Sequence, residues 1–283
     1  AFGCSIAGLA TPSGGARNVI AIGFLQQEGL SIDYLDWVVL AAPITLALMP
    51  LLFVTLILAN QLRNRSLDYH LPPAEPLRDR QLLALAILGG TFLLFLTSGR
   101  TGLTLGTVAM LGAIAMHVCG VLEWDDSRRQ LRWGVMFIYG AALTLGAALV
   151  DHGVAEWLAT GIFEMVEGRG ELLLFSVIIL LGVALTNIMS DGAAAAVLVP
   201  ITLAVGVAAG LDLAVVAILT AISTAFAFMT AFGTPPNLIV HASGIPDSAD
   251  FVRNGVPMVL LAVLVLLAAQ RYYWPLATGW LGF

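Results

Sequence analysis

The stretch LTNIMSDGAAAAVLVPI, residues 185–201, sets an aspartate and two hydroxyls inside an otherwise apolar run. Thr186 and Ser190 are four apart and so share one face of a helix, with Asp191 and Gly192 at a turn and small alanines permitting close packing. An ionisable side chain at membrane depth typically costs ~3 kcal/mol or more, so Asp191 reads as functional. Hydroxyls beside a carboxylate suit a small cation, or a carboxylate that takes up a proton. The rival roles for Asp191 are exposure in a watery vestibule and pairing with an Arg.

A second unusual stretch is TAFGTPPNLIV, starting at Thr230. Pro235 and Pro236 lack amide hydrogens and clash with the preceding turn, which releases carbonyls from a helical ladder, and Gly233 lets the backbone turn. Freed carbonyls can coordinate a cation, while the amides opening the next half-helix favour an anion. The same pattern occurs near the start of the chain. TPSGGARNVIA from Thr11 shares T-x-x-G-x-x-x-N, followed by an apolar residue and Ile. Downstream of each copy a second pattern, D-[aromatic]-x5-P, recurs as Asp36-Trp37 with Pro43 and Asp250-Phe251 with Pro257. The first copy carries Arg17, whose guanidinium could grip a carboxylate or sulfate in two-pronged fashion, pair with Asp191, or snorkel to the interface.

These stretches need helices to position them, and composition says in which solvent those helices stand. Hydrophobic residues make up 59% of the chain and charged residues 11%, which predicts an all-α, multi-pass membrane protein. The net charge of −6 suggests no nucleic-acid face. Apolar segments run over 1–24, 36–61, 81–98, 101–122, 133–150, 171–207, 213–240 and 255–272. The segment 171–207 is too long for one ordinary crossing and holds the polar run TNIMSDG midway, so it is expected to form a re-entrant hairpin of two short helices.

Arg63, Arg65, Arg78 and Arg80 before one pair of crossings, and Arg128, Arg129 and Arg132 after it, place both loops in the cytoplasm. The acidic stretch with Asp151, Glu156, Glu164, Glu167 and Glu171 then lies outside. Within it Val154, Trp157, Leu158, Ile162, Phe163 and Val166 recur at helical spacing, which suggests a helix along the interface. By this count the two T-x-x-G-x-x-x-N copies cross in opposite directions. Inverted repeats with broken helices are the mark of secondary transporters. The expected organisation is residues 1–62 as the end of a first repeat, 63–80 as a cytoplasmic linker containing LPPAEP, and 81–283 as the second repeat.

GTPPNLIVHASG, TNIMSDGAAAAVLVPI and ATPSGGARN together resemble the divalent anion:sodium symporter family, which carries dicarboxylates, citrate or sulfate. The resemblance covers essentially the whole chain and implies an elevator-type homodimer in a bacterial inner membrane. It also implies that this chain is the later part of a family member, with ~130 residues before Ala1 by extension of the repeat. It assigns Thr186, Ser190, Asp191 and Gly233, with Thr11, Gly14 and Asn18 in the first repeat, to cation binding. Ser190, Asp191, Gly192, Thr234, Pro235 and Asn237 fall in the substrate half-site, with Arg17 added by its charge. No cofactor is implied beyond sodium, or a proton, as coupling ion.

Two departures stand out. The family's Ser-Asn-Thr tip reads Ser190-Asp191-Gly192, and its Thr-Pro-Pro in the first broken helix reads Gly15-Ala16-Arg17. A hydroxyl is lost and opposite charges are gained, which weakens a plain dicarboxylate assignment. The alternatives are a proton-coupled anion permease, a cation/proton antiporter or an arsenite-type permease. An intramembrane hydrolase using Ser190 or Asp191 is the reading from another class, but His70, His117, His152 and His241 are not placed beside the hairpin by sequence. Cys4 and Cys119 read as small core residues, His117 as a packing neighbour of Cys119, and Tyr272, Tyr273, Trp274 and Trp280 as an outer aromatic belt.

Overall fold

The computed structural model describes residues 1–60, 76, 78–131, 133–166 and 168–281. Most of the linker expected at 63–80 falls outside them, with His70, Arg132 and Glu167. Every regular element among the described residues is helical. The chain divides into two compact units, one of Ala1–Ile32, Asp36–Arg63 and Phe137–Phe283, the other of Asp33–Leu35 and Asn64–Met136.

The smaller unit contains α4 (Asp79–Leu96), α5 (Ser98–Thr101), α6 (Leu105–Val118) and α7 (Trp124–Gln130). Helices α4 and α6 pack together, and the Tyr34 ring stacks on Phe95 with centroids 5.4 Å apart. His117 sits at the end of α6, its Nε2 3.0 Å from the Ser127 hydroxyl, rather than serving Cys119.

The larger unit holds α1 (Phe2–Ala7), α2 (Ala16–Gln27), α3 (Tyr34–Asn60, its first turn lying in the smaller unit) and, beyond α8 (Trp133–Asp151), the helices α9 (Val154–Val166), α10 (Glu171–Ile188), α11 (Asp191–Ala209), α12 (Leu213–Ser223), α13 (Pro235–Ala242) and α14 (Ser248–Ala268). A single π-type turn, Ala269–Tyr273, leads into α15 (Trp274–Leu281). Its core is α11, which packs against α2, α9, α10 and α12 and buries most of its residues, as a helix apolar all round must. Five helices among the described residues are long and apolar enough to cross a membrane: Tyr34–Asn60, Asp79–Leu96, Glu171–Ile188, Asp191–Ala209 and Ser248–Trp280.

Several expectations from the sequence change here. The two helices of 171–207 are not short: α10 has 18 residues and α11 has 19, each enough for a full crossing. Helix α9 buries Ala155, Ala159 and Val166 and packs against α11, while Trp157 is exposed. The small Ala155 and Ala159 allow α9 to approach α11 closely. Cys4 and Cys119 are both exposed, not core residues. Trp274 and Tyr273 are no simple belt: the Trp274 indole N–H donates to Leu40 O at 2.9 Å and the Tyr273 hydroxyl to Val39 O at 2.6 Å, tying the last helix to α3. Tyr272 and Trp280 do face outward.

Candidate functional site

Two interruptions and one helix junction meet in the larger unit. The first interruption runs from Gly8 to Gly15, with a 3-10 turn at Pro12–Gly14, and the second from Thr224 to Thr234. In each, the residue before the second half-helix is extended: Gly15 at φ −169°, ψ 148°, and Thr234 at φ −138°, ψ 151°. Neither α2 nor α13 has a side-chain cap at its start.

The same device stabilises both. Asn18 Nδ2 donates to Gly8 O and to Thr11 O, ten and seven residues upstream, each at 2.8 Å. Asn237 Nδ2 donates to Ala227 O at 2.7 Å and to Thr230 O at 2.9 Å, again ten and seven residues upstream. An interrupted helix leaves carbonyls without partners, which is costly away from water, and a buried amide offers two donors to satisfy a pair of them. Each of these carbonyls therefore accepts one asparagine N–H and keeps a second lone pair. In both residues the Oδ1 atom is buried without a partner among the described residues.

Close approach fixes the remaining geometry. Gly8 and Gly14 face each other across the first interruption, where a Cβ on Gly14 would lie 2.5 Å from Gly8 O. At Gly233 an added Cβ would meet Ala227 Cβ at 2.5 Å and Thr186 O at 2.9 Å, so α10 comes directly onto the second interruption.

The junction between α10 and α11 is Met189 and Ser190. Ser190 caps α11, its hydroxyl accepting from Ala193 N–H at 3.4 Å. Asp191 N–H donates to Gly233 O at 3.0 Å, the Thr186 hydroxyl donates to Thr224 O, and Thr234 lies 3.3 Å from the Ser5 hydroxyl. Asn187 ties the junction to the second interruption: its Nδ2 donates to Phe226 O at 3.3 Å and its Oδ1 accepts from Met229 N–H at 3.1 Å. Sequence reasoning passed over Asn187 and Ser5. An amide in the polar run TNIMSDG was signal enough for the first; Ser5, in a short apolar helix, offered none.

At the centre Arg17 meets Asp191. The Arg17 Nη1 to Asp191 Oδ2 distance is 2.6 Å, and the residues are 3% and 5% exposed, which makes this a buried ion pair. Arg17 Nη2 donates to Ser5 O at 3.1 Å, and Asp191 Oδ1 accepts from Gly192 N–H at 2.8 Å. Of the roles open to Arg17, pairing is the one the structure displays. Its Nε–H, buried, has no partner among the described residues. Thr186, Ser190, Asp191, Gly192, Gly233, Thr234 and Asn237 thus gather with Arg17, Gly14 and Asn18 around the interruptions, while Pro235 is exposed at the start of α13 and Thr11 takes part through its carbonyl. Two cavities of about 200 and 390 Å³ lie elsewhere, and neither is lined by Arg17 or Asp191.

A model of the sodium:sulfate symporter transmembrane region matches residues 1–280. The chain belongs to this family. It is 28% identical to an uncharacterized transporter of Haemophilus influenzae over 97% of this chain and 61% of that protein. A sodium-dependent dicarboxylate transporter of Staphylococcus saprophyticus is 26% identical over 62% of this chain and 35% of its own length. The corresponding Staphylococcus aureus protein is 23% identical over 97% of this chain and 58% of its own. The chain spans 61%, 55% and 62% of the length of three curated relatives that it matches over nearly its whole extent. Family and apolar helices together make this member of the sodium:sulfate symporter family a multi-pass membrane protein.

Proposed function

We propose that the protein performs cation-coupled secondary transport of a small divalent anion, a dicarboxylate or sulfate, with sodium as the favoured coupling ion. The observation that carries this reading is the meeting of two interrupted helices, braced identically by Asn18 and Asn237, around buried Arg17 and Asp191. Irregular backbone at membrane depth is tolerated where it lines a protein-walled path, and repeated interruptions are how such transporters build one.

The roles follow from chemistry. An anion finds the unpartnered Nε–H of Arg17 and the uncapped N-termini of α2 and α13, each carrying partial positive charge, with Ser190, Gly192, Thr234, Pro235 and Asn237 around it. Positive charge of the coupling step is handled by Thr11, Gly14 and Asn18 at the first interruption and by Thr186, Ser190, Asp191 and Gly233 at the second. The matching asparagine braces support an inverted repeat, with the α10–α11 segment as its re-entrant hairpin. A homodimer moving as an elevator in a bacterial inner membrane completes the proposal, supported by bacterial relatives.

The test reconstitutes the full-length protein in liposomes and follows labelled succinate and sulfate under a sodium gradient and, separately, a proton gradient. Sodium-driven uptake of either anion is the expected result. Uptake driven by protons alone transfers the assignment to a proton-coupled permease. Should neither anion move under either gradient, the reading falls and antiport of cations, or arsenite extrusion, takes its place.

A further inference from the structure

A buried carboxylate needs a positive partner, and in a sodium symporter family the obvious one at a helix interruption is the ion itself. Asp191 is already served. Its Oδ2 holds Arg17 Nη1 at 2.6 Å, its Oδ1 accepts from Gly192 N–H, and the nearby Gly233 carbonyl accepts from Asp191 N–H. The Thr186 hydroxyl donates a hydrogen bond to Thr224 O, and Ser190 Oγ caps α11. Both oxygens of the carboxylate, the charged ligand an ion would use here, are turned to partners within the protein.

Charge balance points the same way. Arg17 and Asp191 are the buried charged residues of the described chain, so together they are neutral. A sodium ion added beside Asp191 would leave a net positive charge in a site of low dielectric, next to a guanidinium that repels it. Arg17 is also held where it is: a Cβ on Gly15 would lie 2.9 Å from Nη1, one on Gly8 3.4 Å from Nη2, and Nη2 is anchored on Ser5 O. The first interruption makes a seat for a guanidinium.

We infer that Arg17 is a tethered cation that stands in for a coupling sodium at Asp191. The inference rests on the reading of the protein as an ion-coupled transporter. It specifies that this half-site binds no sodium, that any sodium dependence arises from ligands away from Asp191, and that one positive charge fewer moves with each anion than if an ion sat there.

The decisive experiment measures sodium binding to the purified full-length protein without anion, as bound radioactive sodium and as the rise in melting temperature when sodium replaces choline. It needs no transport, so failure of anion uptake and failure of this inference are read separately. In Arg17→Gln the carboxylate is released, and sodium binding rises above wild type with an added thermal shift of about 3 °C or more. Arg17→Lys keeps a tethered charge and responds to sodium as wild type does, and the double variant R17Q/D191N loses the gain. A Gln variant with no added sodium binding overturns the inference, as does a Lys variant that gains as much as Gln. Where R17Q does not survive purification, Asp191→Asn carries the test: an unchanged sodium response supports the tethered cation, and a diminished one places the ion at Asp191 and overturns it.

Discussion

The two interruptions share a frame and differ in filling. Both place an asparagine at the third position of the second half-helix, both use its amide to satisfy carbonyls ten and seven residues back, and both enter that half-helix from an extended residue. Where the second has Thr234-Pro235-Pro236, however, the first has Gly15-Ala16-Arg17. Proline stiffens the second interruption, and a charge that reaches Asp191 at the α10–α11 junction holds the first. The comparison teaches that the backbone device is separable from the chemistry it presents: the frame is duplicated, while what it offers is written in the two residues beside the asparagine.

The charge is the feature whose loss should cost most. Arg17→Met leaves Asp191 buried and unpaired, a change worth about 3–5 kcal/mol by analogy with broken buried pairs. Stability in mild detergent, followed by unfolding of the purified protein, measures it. The double variant R17M/D191L should recover most of that loss, because desolvation of both charges is removed along with their attraction. If the double variant is as unstable as the single one, the pair does not join the first interruption to α11 in this way.

Second comes the close approach of α10 to the later interruption. Gly233→Ala puts a methyl within 2.5–2.9 Å of Ala227, Thr186 O and Thr230, at a cost of about 3 kcal/mol as α10 is pushed away. Two of those three neighbours give little, being backbone and a short side chain in a packed interruption. A melting temperature equal to wild type would mean that the α10 end is looser than the structure has it.

The shared frame makes a prediction of symmetry. Asn18→Ala and Asn237→Ala each strand two carbonyls, and each should lower stability by about 2 kcal/mol, to a similar extent at the two sites. A large asymmetry in the same unfolding measurement would show that only one interruption relies on its brace. Asn187, which also bonds to the second interruption, is the residue to remove next if Asn237→Ala proves mild.

How much of this was legible in the sequence depends on the kind of signal. The interruptions were legible because glycine, proline and asparagine inside apolar runs leave few helical alternatives, and Asp191 was legible because a lone carboxylate there is expensive. The partner of Asp191 was not fixed, since Arg17 lies 174 residues away and had two other uses open to it. The asparagine braces were not legible as braces: the spacing of Asn18 and Asn237 marked a repeat, but which group each amide would serve depends on a folded carbonyl. Where helices pack closely, Ala155 and Ala159 go inside and Trp157 stays out.

The smallest expected effect tests whether the filling can be exchanged. Ala16 opens α2 as Pro235 opens α13, and Gly15 before it is extended as a residue preceding proline must be. The first amide of a helix has no partner within the helix, so proline there removes nothing that the helix uses. Ala16→Pro should therefore leave Arg17 and Asn18 in place and stabilise the protein by up to about 1 kcal/mol, through fewer unfolded conformations. A rise of that size in the unfolding free energy would mean that the two frames accept the same residue. A marked loss would mean that the first interruption needs its freedom at Ala16, as it would if Gly15 and Ala16 must shift for Arg17 to leave Asp191 during transport.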